Sequence, residues 1–259
     1  MNKIKQYIAN RFFDEELANH LKKDNILIKK NKNGIAVEFP ELINLRANPS
    51  SDFSVFLQVF YEEQYSLLAG ICNFNQIQVN TIVDLGANVG FTSIYLNRRF
   101  KTAKIIALEP DEENFKVLRT NTQYFKNIIT KNAAIWSHQT KLSPSFDEES
   151  DWGKTFLENK DSKTKSIEAV TINHIVEEHQ LQSIDILKID VEGAEKQIFE
   201  SDLSFLKRVK VIAIEIHEHV IEKEKIHAIL RANHFILVEY GELSIGINKN
   251  LTLADVAIY

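Results

Sequence analysis

The sequence predicts an α/β protein built on a doubly wound parallel sheet, and three observations lead there. From Thr81 onward, short runs rich in Ile and Val recur: "TIVDLG", "KIIALEP", "NIITKNAAIW", "DILKID" and "VKVIAIEIH". Most are apolar without alternation, as parallel strands buried on both faces are. Between them lie stretches with helical spacing, "GFTSIYLNRRF", "DEENFKVLRTNTQYF", "TINHIVEEHQ" and "AEKQIFESDLSFL". Strand and helix in regular alternation put helices on both faces of such a sheet.

Residues 1–75 predict a helical N-terminal extension, with two helical patterns around a short β-like stretch, "NGIAVEFP". The second pattern, "SSDFSVFLQVFYEEQYSLLAGI", sets Phe53, Phe56, Leu57, Phe60 and Leu67 on one face. Ser51 or Asp52 is placed to cap its first-turn amides. The sheet domain is expected over 76–259. Within it, residues 138–166 are polar, charged and poorly periodic. A connection that long is usually a functional lid or a disordered segment, and Trp152 beside Gly153 favours a lid. At the end, "FILVEYGELSIGI" and "LTLADVAIY" predict a terminal antiparallel pair.

Composition narrows the function. The 259 residues are 44% hydrophobic and 26% charged, values that suit a soluble globular protein. A net charge of −5 argues against a nucleic-acid partner, whose phosphates require a basic footprint. The single cysteine, Cys72, excludes an internal disulfide and a cysteine-based metal cluster, and its apolar neighbours predict a buried helical thiol. No segment approaches an uninterrupted membrane span, and "MNKIKQYIANRFFDEEL" lacks the apolar core of a leader. A cytoplasmic location is the expectation.

The first strand–helix turn carries the first candidate site. Gly86 and Gly90 in "DLGANVG" let the backbone turn sharply and approach a ligand closely. A dinucleotide fingerprint would need further glycines where Asn88 and Phe91 stand, and the Lys-Ser/Thr pair of a phosphate loop is absent. A ligand less bulky and less anionic than a pyrophosphate fits better. Glu109 ends the next strand about 20 residues beyond the loop, where an acid binds ribose hydroxyls. Pro110 and Asp111 then start the following helix.

These residues resemble a known family. "VDLGANVGFTSIYL" followed by "ALEPDEENFKVLRTN" is similar to the cofactor-binding half of class I S-adenosylmethionine-dependent methyltransferases. "TINHIV", "IDILKIDVEGAE" and "VIAIEIHEH" resemble the FkbM-type family in particular, as does "NPSSDFSVFLQVFYEEQY" upstream. The likeness runs from Arg46 to His219. It implies a Rossmann-like seven-stranded sheet with the last strand antiparallel, and methyl transfer to a hydroxyl of a sugar, glycan or glycosylated small molecule. By carry-over, Asp84, Gly86, Asn88 and Gly90 would surround the methionine part of S-adenosylmethionine, and Glu109 its ribose. Asn132, Ala133 and Ala134 would lie beside the adenine. Ala87, Thr92, Pro110 and Asp190 complete the expected cofactor set.

An alcohol acceptor must lose a proton as the methyl bond forms, so a base within reach is expected at the ends of the fourth and fifth strands. Asp190 and Glu192 end "DILKID", Glu195 follows on the same side of the next helix, and Glu215 and His217 share a face of the fifth strand if the two-residue period persists. His217, Asp190 and Glu192 are the catalytic candidates. His217 is the best generic base by its ordinary pKa, although a histidine merely hydrogen-bonded at a strand end has an equal claim. Asp190, Glu215 and His217 form an alternative divalent-cation set, ranked below a direct base because it does not match metal-dependent O-methyltransferases residue by residue. Arg46, Asp52, Tyr65 and Trp152 are candidates for the acceptor pocket. Two rival readings stand beside a small-molecule or carbohydrate acceptor: a methyltransferase of nucleic acid or protein, and a scaffold that binds the cofactor without turnover. The sequence is silent on oligomeric state.

Overall fold

Three short strands come first: β1 (Leu27–Asn31), β2 (Gly34–Glu38) and β3 (Leu42–Arg46), paired antiparallel in that order. The structure, a computed structural model, describes residues 27–31, 34–38, 42–46, 50–144, 156–158 and 166–252. The first expected helix, Trp152 and the run 253–259 lie outside these. The extension expected to be helical thus carries a sheet as well. "NGIAVEFP" supplies its middle strand.

The long helix expected from Ser51 is broken into pieces. α1 (Asp52–Phe56) runs into a π-helical turn, Leu57–Tyr61, and α2 (Ser66–Phe74) starts afresh. Glu63 sits between them at φ +50°, a left-handed conformation that a right-handed helix cannot contain. The chain divides into two compact units, Met1–Gln64 and Tyr65–Tyr259. Ser51 makes no side-chain cap bond. The Asp52 carboxylate instead binds the Arg46 guanidinium and accepts from the Arg46 backbone N–H at 2.7 Å. Cys72 is a buried free thiol in α2, its pKa pushed up to about 12 chiefly by burial.

The second unit alternates as expected. β4 (Thr81–Leu85), α3 (Phe91–Arg99), β5 (Lys104–Leu108), α4 (Glu112–Thr122) and β6 (Ile128–Lys131) follow one another. Then come β7 (Ala134–Ile135), β8 (Thr140–Pro144), β9 (Phe156–Glu158), β10 (Ile167–Val170) and α5 (Ile172–Glu178). β11 (Ile184–Ile189), α6 (Glu195–Phe199), a 3₁₀ turn (Ser204–Arg208), β12 (Val209–Glu215), α7 (Lys223–Ala232), β13 (Phe235–Tyr240) and β14 (Leu243–Asn248) complete it.

The main sheet has seven strands in the order β13-β14-β12-β11-β4-β5-β6. All the pairs from β12 to β6 are parallel, and β14 lies antiparallel between β12 and β13. A hairpin is made inside "FILVEYGELSIGI", turning at Gly241 (φ +60°), whereas most of "LTLADVAIY" lies outside the described residues. "NIITKNAAIW" likewise supplies two strands, β6 in the main sheet and β7 in a smaller one ordered β7-β10-β8-β9. Within the expected lid, residues 140–144 and 156–158 are strands of that smaller sheet, tied in by the Trp136 indole N–H donating to Glu158 Oε1 at 3.1 Å.

A large core cluster gathers Val83, Leu85, Ile106, Leu108, Leu187 and Ile189 with helical residues such as Ile175, Phe199 and Leu230. By the two-residue period of a strand, Asp84, Ala107 and Lys188 point to the other side. That alternation puts a lysine and an aspartate inside the protein, where they shape the site.

Candidate active site

The chain order reverses between β4 and β11, which are neighbours in the sheet, and ligands of open α/β sheets bind beyond the strand ends at such a point. Gly86 (φ +74°), Asn88 (φ +49°) and Gly90 (φ +94°) fold the loop after β4 by three left-handed residues. A Cβ on Gly86 would lie 1.7 Å from the Asp190 carbonyl oxygen, so glycine is needed here for the close approach of β11. The loop is held from the other side too. The N–H groups of Gly86 and Ala87 both donate to the Leu108 carbonyl, at 3.0 and 2.8 Å.

Beneath the loop lies a buried charge network. Asp84 and Lys188 are register partners in adjoining strands, and Lys188 Nζ stands 3.2 Å from Asp84 Oδ1. The ammonium also donates to the Gly86 carbonyl at 2.7 Å and lies 3.5 Å from Asp190 Oδ2. Burial penalises its charge, yet the carboxylates of Asp84 and Asp190 more than offset that and hold its pKa above the ordinary lysine value. Ser93 Oγ, from α3, donates to Asp84 Oδ2 at 2.6 Å. Asp84, expected against the cofactor, thus braces the loop from inside.

Glu109 stands at the mouth of the same loop, 5% exposed. Its Oε2 accepts from the Asn88 N–H at 2.8 Å, and its Oε1 from the Asp111 N–H at 2.9 Å. Burial outweighs these bonds and raises its pKa to about 7. Pro110, partly exposed, follows it, and Asp111 caps α4 by accepting from the N–H groups of Glu113 and Asn114. Asn132 donates its amide to the carbonyls of Glu109 and Pro110, at 2.8 and 3.1 Å. Ala133 and Ala134, expected beside an adenine, are packed into two separate cores, which leaves Asn132 the least buried of the three. Thr92 is buried in the first turn of α3.

At the ends of β11 and β12 the acids and the histidine meet. His217 Nδ1 lies 2.8 Å from Glu195 Oε1, and its Nε2 lies 3.3 Å from Glu192 Oε2. Asp190, Glu192 and His217 each bring one ligand-type atom within 4.8 Å of the others. Glu192 reaches this position through a left-handed backbone (φ +48°), followed by Gly193 at φ +101°. The hydrogen bonds to Glu192 and Glu195 raise the His217 pKa to about 11, against a smaller opposing effect of burial. Both ring nitrogens of His217 thus face carboxylates, which favour the protonated ring. Glu215 is not part of the group. β12 ends at Glu215, so the two-residue period does not extend to His217. The Glu215 carboxyl is pushed up to about 8, mainly by burial and then by the charges of Asp190 and Glu242.

Arg46 and Asp52 bind each other in the first unit, and Asp52 is buried in that pair. Tyr65, expected at the acceptor pocket, is buried beside Thr92, Lys188 and Asp84, where desolvation raises its pKa. Sequence reasoning missed Lys188 and Ser93 and left Glu195 outside the catalytic set. A lysine inside the wholly buried run Ile184–Ile189 was the available signal. Glu195, fully buried, gave none.

Comparison with known proteins identifies the arrangement. Residues 84–240 match the model of the methyltransferase FkbM domain. Methyltransferase sdnD of Sordaria araneosa is 25% identical over 193 residues, 60% of this chain and 73% of that protein. Methyltransferase 1 of Beauveria bassiana is 24% identical over 141 residues, 45% of this chain and 56% of that protein. Among solved structures, methyltransferase FkbM from Methylobacillus flagellatus KT has a TM-score of 0.46 and 15% identity. That likeness covers 66% of this chain and less than half, 44%, of the other. The family match takes in the glycine loop, Glu109 and the strand-end cluster, and the chain belongs to the FkbM family of S-adenosylmethionine-dependent methyltransferases.

Proposed function

We propose that the chain methylates a hydroxyl oxygen of a sugar, a glycan or a glycosylated small molecule. The observation that supports this most is the cluster of Asp190, Glu192 and His217 beside the glycine loop, carboxylates and an imidazole where an alcohol's proton must leave. The net charge of −5 agrees with such an acceptor better than with a nucleic acid.

The residues at the loop fit the methyl donor. Each Glu109 oxygen accepts one short backbone bond; Oε1 also takes a long one of 3.5 Å from the Asn114 amide, and Oε2 keeps a lone pair for a ribose hydroxyl. The Asn88 side-chain oxygen is buried without a hydrogen-bond partner, an acceptor left over inside the loop. Gly86 and Gly90 shape the loop around the methionine part, with Ala87 and Thr92 beside them. Asn132 fixes the Glu109–Pro110 backbone at the adenine end. S-adenosylmethionine supplies a methyl group already activated on a sulfonium, so the protein's task is alignment.

Lys188 and Asp84 hold the loop rigid, and Asp190, on the same ammonium, couples the loop to the acceptor side. Glu192 is the exposed acid of the cluster, its side chain 44% accessible, and the acceptor hydroxyl approaches there. The hydroxyl's proton passes into the cluster's carboxylates as the carbon–oxygen bond forms. His217 orients Glu192 and is itself held by Glu195.

A panel of sugars and glycosides incubated with methyl-labelled S-adenosylmethionine tests this, with RNA and peptides alongside. Label on a glycoside oxygen is the expected result. Label on RNA or peptide, or donor binding without transfer to any acceptor, would favour one of the rivals.

A further inference from the structure

We propose that a cavity of about 110 Å³, bounded by the end of β7, the start of α5 and the end of α6, binds a neutral sugar ring. Its part in methyl transfer rests on the acceptor reading above, whereas its ability to hold a sugar does not. Trp136, Ile172 and Phe205 give the cavity apolar walls, and Thr171, Asn173 and Ser201 give it polar ones. A water needs about 10–15 Å³ of such space, so there is room for several waters or for one ring-sized molecule.

The three polar residues are uncharged, and each keeps hydrogen-bonding capacity beyond its internal bonds. Thr171 Oγ1 accepts from the His174 N–H at 2.9 Å, which leaves its own proton to donate. Ser201 Oγ donates to the Ile198 carbonyl at 2.8 Å and keeps its lone pairs. The Asn173 amide nitrogen donates to Asp202 Oδ2 at 2.8 Å, and its side-chain oxygen is left to accept. A sugar hydroxyl both donates and accepts, so it suits all three.

Charge and shape select against other ligands. Among the described residues no lysine, arginine or histidine lines the cavity, so an anion finds no countercharge. Asp202 does line it, but its oxygens already accept from the Ser204 N–H, the Ser204 hydroxyl and the Asn173 amide. A wholly apolar ligand would displace water from Thr171, Asn173 and Ser201 without replacing its hydrogen bonds. The Trp136 indole N–H is taken by Glu158, so the ring meets the cavity as hydrocarbon, a match for the C–H face of a sugar. One short helix serves this cavity and the catalytic cluster together. Glu195 at the start of α6 holds His217, and Ile198, about 4.5 Å further along it, lines the cavity. A ring bound here is a second sugar of the acceptor, one helix away from the hydroxyl that is methylated.

The chain has two tryptophans, so the full protein labelled with 5-fluorotryptophan reports on the cavity by fluorine NMR, the Trp136 signal being the one lost in Trp136→Phe. The probes are the methyl glycosides of glucose, galactose and mannose, with cyclohexanol beside them. Expected is a saturable shift of the Trp136 signal by at least one glycoside, with a midpoint below about 10 mM. Asn173→Ala and Ser201→Leu should each raise that midpoint at least about fivefold, and Glu192→Gln, in the catalytic cluster, should leave it unchanged. Circular dichroism checks each fold. If Ser201→Leu does not fold, Asn173→Ala at its half-buried position decides. No saturable shift up to about 10 mM, which would mean water only, overturns the site. So does a midpoint for cyclohexanol as low as for the glycosides, a midpoint unmoved in a folded cavity variant, or one raised as much by Glu192→Gln. Methyl transfer to a glycoside by a chain that shows no shift at Trp136 loses this site alone. A shift at Trp136 with label on RNA or peptide only overturns the acceptor reading and keeps the sugar site.

Discussion

Burial at the end of β5 gives Glu109 a pKa of about 7, and two consequences follow in opposite directions. A carboxyl held above its unfolded value stabilises the fold fully below about pH 4.3 and loses that contribution as the pH rises through about 7. Binding of a ribose diol needs the ionised form. Donor affinity should therefore rise between pH 6 and 8, by up to about tenfold per unit below the pKa, and calorimetry on Glu109→Gln should find that dependence gone. Gly86→Ala is a different experiment. Its Cβ would meet the Asp190 carbonyl at 1.7 Å, so a loss of stability exceeding about 1 kcal/mol, seen in the urea midpoint, should accompany any loss of donor binding. The motif singled out Gly86 as a ligand contact, whereas the approach of β11 is tertiary and invisible in a local pattern. His217 was legible as a functional histidine, but its chemistry depends on Glu195, which is brought to it across a gap of 22 residues.

At the scale of elements, β4 and β11 are joined by more than their ladder. Lys188→Met would leave Asp84 buried without its cation, which costs about 3–5 kcal/mol for such a pair, whereas Lys188→Met with Asp84→Leu should cost much less. Chemical denaturation of the two single variants and the double variant measures this. If the double variant is no more stable than Lys188→Met alone, Asp84 has another partner. The strands themselves were readable because continuous apolar runs suit buried parallel strands. The break at Glu63 was not, since Phe56, Phe60 and Leu67 keep helical spacing across it. The hairpin was missed for a simpler reason. Only Gly241 and Glu242 separate β13 from β14, and a two-residue turn containing glycine inside an apolar run is easily read as one strand.

For the molecule as a whole, the residues assigned to the donor all fall in the unit Tyr65–Tyr259. A chain starting at residue 65 should bind S-adenosylmethionine within about tenfold of the full protein, a shift of about 1.4 kcal/mol. Calorimetry on that fragment checks this, and a larger loss would mean that the first unit contributes to the donor site. Class and sheet direction were legible because alternation of strand and helix leaves few topologies. Among the described residues no helix is long and apolar enough to cross a membrane. The small sheet β7-β10-β8-β9 was not legible, because its strands are short and one run, "NIITKNAAIW", feeds two sheets. The place of β14 between β12 and β13 also constrains how the protein is made. Until residue 248 has left the ribosome, β12 has one open edge and β13 has no neighbour to pair with. An open edge on an apolar strand invites pairing with other nascent chains, so the seconds before β14 arrives are when this protein most needs a chaperone.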